Sequence, residues 1–215
     1  SVSRGLGDVY KRQDNIYVLD KIPDYEPNKE TSLGSKAKKL NREINDYIYD
    51  ILLEEDGNSL LYYPIGNYLD YSLEASLEMI SSEHTLLGLG DGGAHCATIC
   101  DASFTTHMLT FWGRDRTRGK KLDLPWIIKS YTRDNALAIG LKDRGLIKEG
   151  MKADINIIDF DNLTLYSPEI RYDLPAEGKR LVQRVDGYKY TIVSGKVTYV
   201  DGVSTGELPG RLIRS

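Results

Sequence analysis

The stretch that most constrains the fold is a short apolar run with a glycine-rich segment behind it. Thr85, Leu86, Leu87, Gly88 and Leu89 stop at Gly90; Asp91 comes next, then Gly92, Gly93, Ala94 and His95. An apolar run of this length between glycines reads as a strand buried on both faces, as in a parallel sheet. A carboxylate at the end of such a strand stands at the carboxyl edge of the sheet, where barrel enzymes keep their chemistry. Gly92 and Gly93 let the backbone turn sharply and approach a ligand closely, and His95 can then fold back beside Asp91. A plainer role fits the same spacing: Asp91 as the N-cap of a following helix or as part of a turn.

The flanking sequence completes a strand–helix–strand unit. Leu60, Leu61, Tyr62 and Tyr63 form a strand candidate stopped by Pro64. Asn67 and Tyr68 come after it, on the same edge as Asp91 if the two strands are parallel. A helix over residues 72–81 puts Leu73, Leu77 and Ile80 on one face, and the run at 85–89 comes next, so the grammar is βαβ. Upstream, residues 14–39 are polar, carry Pro23 and Pro27, and read as a loop or crossing segment. A helix starts near Asn41, repeats Ile44, Ile48, Ile51 and Leu52 at helical spacing, and ends at Gly57.

Downstream, Ser103 can cap a helix through Phe104, Met108, Phe111 and Trp112. Residues 114–119, rich in arginine, read as a charged, exposed turn. Asp123 caps the next helix, with Pro125 in its first turn; Thr132 opens another, closed by Gly140. From about Gly145 the pattern changes to strands. Residues 147–159 are a turn and an alternating strand, residues 190–200 are two β runs joined by Ser194-Gly195, and Asp201-Gly202 marks a further turn. The predicted organisation is therefore an α/β part over residues 14–144 and a mostly β part over residues 145–215.

At 215 residues the chain can hold one sizeable domain or one and a half small ones. A net charge of -4 gives no electrostatic case for nucleic acid, and the apolar runs are too short to span a bilayer. No segment has the pattern of a secretory signal. Cys96 and Cys100 share one glycine-flanked loop, which is not a disulfide framework; a reducing, cytoplasmic setting is expected. With His95 they could also make a Cys-x₃-Cys metal pair, against the plainer reading of buried small hydrophobes. Residues 3–13 resemble a translated sequencing adapter, so residues 1–13 are expected to be foreign and the native chain to begin near Asp14; an ordinary disordered tail is the alternative.

Several segments together carry a family resemblance. LGLGDGGAH (residues 87–95), CDASF (100–104), FWGRDR (111–116), TRDNALAIGL (132–141) and RGLIKEGMKADINIIDFD (144–161) resemble the carboxyl-terminal part of metal-dependent amidohydrolases. DLPAEGKRLVQRVDGYKYTIVSGKVTYVDG (173–202) and TGELPGRLIRS (205–215) narrow the likeness to the long N-acyl-D-amino-acid deacylase, or D-aminoacylase-like, subgroup. The resemblance implies an α/β fold: the carboxyl-terminal part of a (β/α)₈ TIM barrel plus part of a small β-sandwich domain. Residues 60–63 would be its seventh strand and 85–89 its eighth.

It also implies the chemistry. Asp91 would be a metal ligand and general base, and the metal Zn²⁺, which activates water and polarises the scissile carbonyl. His95, Gly92, Gly93 and Asn67 would lie on the substrate side, around a small-molecule amide. The family's other ligands have no counterpart, since the chain has 3 histidines, His84, His95 and His107. A zinc site takes about three protein ligands and an open position, so this chain is expected to be inert alone. A linear N-acyl-D-amino acid is the expected substrate class. The alternatives are a cyclic amide of the hydantoin or dihydropyrimidine type, or a non-catalytic scaffold.

Overall fold

The computed structural model of the chain describes residues 15–68, 70–88, 90 and 95–213. The chain divides between Ser82 and Glu83 into two compact units.

The first unit is built on two short strands, β1 (Tyr17–Val18) and β2 (Leu61–Tyr62), paired antiparallel with Tyr17 opposite Tyr62. Residues 14–39, predicted as loop, contain β1 and a helix, α1 (Leu33–Lys39). The helix has the signals that the polar composition masks. Ser32 is its N-cap and accepts the Ser35 amide at 3.2 Å. Leu33 and Ala37, one turn apart, are buried, and Lys36, Lys38 and Lys39 occupy the last turn, where the helix dipole favours cations.

The next helix, α2 (Ile44–Leu53), starts later than predicted. Its cap is Glu43, whose carboxylate accepts the amides of Asn45 and Asp46; Asn41 instead takes a left-handed φ of 50° between the two helices. Helix α3 (Glu74–Ser81) matches its predicted place. Its entry is held by a buried carboxylate: Glu26 accepts the Leu73 amide at 2.8 Å. Beside it the buried Tyr68 hydroxyl donates to the Pro27 carbonyl.

The predicted βαβ unit is not formed among the described residues. β2 pairs with β1 rather than with residues 85–88, which carry no strand. A strand exists only through its ladder partners, and an apolar run signals burial, not pairing: Leu87 is buried, but no neighbour hydrogen-bonds to it as a strand would. No closed barrel occurs among the described residues.

The second unit begins with helices. Helix α4 (Phe104–His107) widens into a π-helical segment, Met108–Asp115. Helix α5 (Leu124–Lys129) is capped by Asp123, which accepts the Trp126 amide at 3.3 Å, with proline in the first turn as predicted. It continues through a second π-helical segment, Ser130–Asp134, into α6 (Asn135–Ala138). Each widened segment holds a threonine whose hydroxyl donates to the carbonyl four residues back: Thr110 to Thr106 at 3.1 Å, Thr132 to Ile128 at 2.6 Å. Such back-bonding competes with the helical amide and bends helices. Gly140 closes the run with φ 80°. Met108, Leu109, Trp112, Ile127 and Ala136 of these helices are buried.

His107 belongs to this packing. Its ring stacks on Phe111, with centroids 4.9 Å apart and planes at 9°. A little of its surface remains accessible, but the ring is enclosed closely enough that burial pulls its pKa down to about 4. The unfolded state therefore binds the extra proton first, as pH falls through about 6.5. This contribution to stability is complete above that pH and is lost progressively down to about 4. Between pH 7 and 4.5 the second unit should lose roughly 2 kcal/mol through this residue, and His107→Phe should lose correspondingly less. Equal losses in urea melts at the two pH values would show that the ring does not titrate this way.

The strands come last. β3 (Ile155–Ile158), β6 (Tyr188–Val193), β7 (Lys196–Val200) and β8 (Val203–Ser204) form one antiparallel sheet in the order β3-β6-β7-β8. The hairpin signals at Ser194-Gly195 and Asp201-Gly202 are realised: all four residues have positive φ, as tight two-residue turns require. Directly opposed residues point to the same face. The register places Ile155 with Ile192, Ile157 with Tyr190, Tyr190 with Val200, Ile192 with Val197, and Val200 with Val203. One face of this sheet is thus apolar across all four strands, and Ile157, Tyr190, Val197, Val200 and Val203 are exposed on it. The second sheet is a long hairpin, β4 (Thr164–Leu174) with β5 (Gly178–Asp186).

Candidate active site

Asp91, Gly92, Gly93 and Ala94 lie outside the described residues. The residues on either side of them are held at defined points.

On the amino side, the Asn135 side-chain amide donates to the Leu87 carbonyl at 2.7 Å. Three residues later, Gly90 is in close contact. A Cβ there would stand 2.5 Å from the Asp101 carbonyl oxygen and 2.7 Å from the Phe104 ring. No side chain fits, so the backbone immediately before Asp91 rests directly on the start of α4. The amino end of α6 and that of α4 thus supply the two anchors.

On the carboxyl side, His95 opens a turn. Its carbonyl accepts the amides of Thr98 at 2.8 Å and Ile99 at 2.9 Å, and the Thr98 hydroxyl at 3.2 Å. The His95 residue is exposed. The Cys96 carbonyl accepts the Leu181 amide of β5 at 2.7 Å. At the loop's far end, the Ser103 hydroxyl donates to the Gln183 side-chain oxygen, and the Gln183 amide nitrogen donates to the Tyr166 carbonyl at 2.7 Å. Ser103 makes no capping bond to α4, so its predicted role as N-cap is replaced by this bond to the hairpin. Cys96 and Cys100 are free thiols, both half-buried. Burial pushes the Cys100 thiol up, with the Asp101 charge adding to it.

Asn67 belongs to the first unit. It is exposed and takes a left-handed φ of 59°. His84 is exposed beside Glu83, 3.6 Å away. His107 is taken up in the packing against Phe111.

The arginine-rich turn is a correction to the sequence reading. Arg116 is 1% exposed, lies 4.6 Å over the Trp112 ring and donates to the Lys120 carbonyl at 2.9 Å. Arg114 grips the loop before β4, donating to the carbonyls of Phe160, Asp161 and Leu163 while pairing with Asp115. Arg133 does the same for the loop after α6, donating to the Lys142 and Arg144 carbonyls at 3.2 and 3.0 Å. There Gly145, at φ 82°, leaves no room for a Cβ against the Arg133 backbone. In sequence Arg114 and Arg116 read as part of a charged, exposed turn. Nothing nearby along the chain marks the backbone carbonyls that Arg114 and Arg133 hold.

The model of the amidohydrolase family matches residues 58–199, two-thirds of the chain. The chain belongs to the amidohydrolase family. Comparison with curated proteins and with solved structures returns no match. Both Asp91 and His95 fall inside the matched span, and membership makes this a hydrolase domain of the amidohydrolase superfamily. Amidohydrolases are typically metal-dependent. Among the described residues, no group of three or more His, Cys, Asp or Glu side chains could hold a metal ion. His95 with Cys96 and Cys100 therefore makes no such group, and the described residues do not fit a zinc site. Among them, too, no helix is long and apolar enough to cross a membrane.

Sequence reasoning missed Asn135, Gly90 and Gln183. Asn135 carried only the weak signal of a polar residue at a helix start, and Gly90 that of one glycine among several. Gln183 had none, since nothing local marks a glutamine in a strand as a cross-link.

Proposed function

We propose that this amidohydrolase domain serves the hydrolysis of a linear amide, an N-acyl-D-amino acid, with Asp91 as general base and metal ligand. The observation that carries the proposal is the family match across the segment that holds Asp91 and His95. The contacts made by the described residues on either side, Leu87 and Gly90 before it and Cys96 and Ser103 after it, support the choice of this part of the chain as the site. In this reading Asp91 takes the proton of the attacking water and delivers it to the leaving amine. His95, Gly92, Gly93 and Asn67 are assigned to the substrate. The metal proposed is zinc, with Asp91 as a ligand. The fold proposed with it is the last part of a (β/α)₈ barrel and, after it, part of a β-sandwich, a reading that the apolar face of the four-stranded sheet supports.

The test combines metal and substrate. The intact gene product, zinc-loaded, is offered linear N-acyl-D-amino acids and cyclic amides side by side. Turnover of the linear compounds is expected, falling about a hundredfold or more in Asp91→Asn. Turnover confined to cyclic amides would replace the substrate class. Undiminished activity in the variant would remove Asp91 from the mechanism, and no bound zinc with no turnover would leave a scaffold.

A further inference from the structure

We infer that Gln183 is a positioning residue for the candidate active site, setting from the β4–β5 hairpin the place of the loop that runs from His95 to Ser103. Its meaning for turnover rests on the proposed function; its effect on the loop does not.

The inference starts from the direction of the side-chain amide. The Tyr166 carbonyl can only accept, so it takes the Gln183 nitrogen at 2.7 Å. The Gln183 oxygen is thereby turned to the Ser103 hydroxyl, which donates to it. One end of the amide is fixed to β4 and the other to the site loop. Two residues away, the Leu181 amide holds the Cys96 carbonyl, next to His95. The hairpin therefore grips the loop at both ends, at 96 and at 103, over a stretch with no strand or helix of its own beyond the turn at His95.

The grip reaches the other side of the site as well. Asp101, two residues before Ser103, is the residue whose carbonyl lies against Gly90 with no space for a methyl group. A shift of the Ser103 end must move Asp101, and Asp101 cannot move toward Gly90 without displacing the backbone that leads into Asp91. Protein interiors transmit such displacements because they are close-packed. A glutamine in the hairpin is thus linked to both flanks of the segment that carries the chemistry.

The loop's own thiols report on this. Cys96 and Cys100 are free and half-buried, so their rates of labelling by a disulfide reagent, resolved by peptide mass, measure how often the loop leaves its seat. The full chain is compared with Gln183→Met, which keeps the length of the side chain and removes both bonds. It is also compared with Ser103→Ala, Ser103→Thr and the Gln183→Met/Ser103→Ala double variant. Labelling of both cysteines should rise about tenfold in Gln183→Met and in Ser103→Ala. It should rise no further in the double variant than in Gln183→Met, because the bond between Ser103 and Gln183 is already lost in each single variant, and should return toward the parent rate in Ser103→Thr. The melting temperature should stay within a few degrees of the parent. Unchanged labelling, labelling that only tracks a fall in melting temperature, or additive effects in the double variant would each overturn the inference. If labelling responds in this way and the zinc-loaded gene product turns over no amide, the proposed function fails and the loop-setting role stands.

Discussion

Gly187→Ala should destabilise the second unit by roughly 3 kcal/mol, from backbone strain and overpacking together. Gly187 joins β5 to β6 with φ 113°, a region that side-chain-bearing residues rarely adopt. A Cβ at this position would lie 2.8 Å from the Leu163 Cα, 3.1 Å from its Cδ1 and 3.2 Å from the Asp159 carbonyl oxygen. Leu163 is fully buried and cannot retreat. The Gly187 carbonyl also accepts the Asp159 amide at 2.8 Å, so the turn cannot swing outward without losing that bond. Urea unfolding monitored by tryptophan fluorescence measures the effect, since both tryptophans, Trp112 and Trp126, lie in this unit. A variant within about half a kcal/mol of the parent would mean that the turn does not press on Leu163.

Trp112→Ala should cost about 3–5 kcal/mol. Trp112 is 3% exposed, at the centre of the π-helical segment. Its removal leaves a cavity and also strips the ring from beneath the buried Arg116 guanidinium. A buried charge that loses part of its surroundings is expensive, so the cost should exceed that of the cavity alone. Arg116→Met separates the two parts. In that background, Trp112→Ala should cost measurably less than in the parent, because no charge is left against the cavity. If the two costs are equal, the stacking of Arg116 on Trp112 carries no energy.

The legible parts of this chain were those whose cause is local. Asp123 with Pro125 marked the start of α5, Gly140 its continuation's end, and Ser194-Gly195 and Asp201-Gly202 the tight turns of the β part, because caps and turns are decided by the residues that form them. The β4–β5 hairpin was not read, although it is the longest strand pair. Its sequence is heavily charged, and its turn at Pro175–Glu177 places Ala176 and Glu177 at positive φ, which neither residue favours. Residues 85–88 failed in the opposite sense. Their apolar run announced burial, and Leu87 is buried, but a strand needs a neighbour, and composition cannot supply one.

The sequence by itself determined the family, through its match to the amidohydrolases over residues 58–199; Asp91, on which the proposed chemistry turns, lies within that span. Tertiary structure decided what holds that segment. Asn135 reaches back to Leu87, Gly90 lies flat on Asp101, and Gln183 bridges β4 to Ser103. None of these contacts joins residues that are close neighbours along the chain. Hydrogen bonds and steric contacts act over a few ångströms of space, whatever the distance in sequence, so no reading along the chain could have found them.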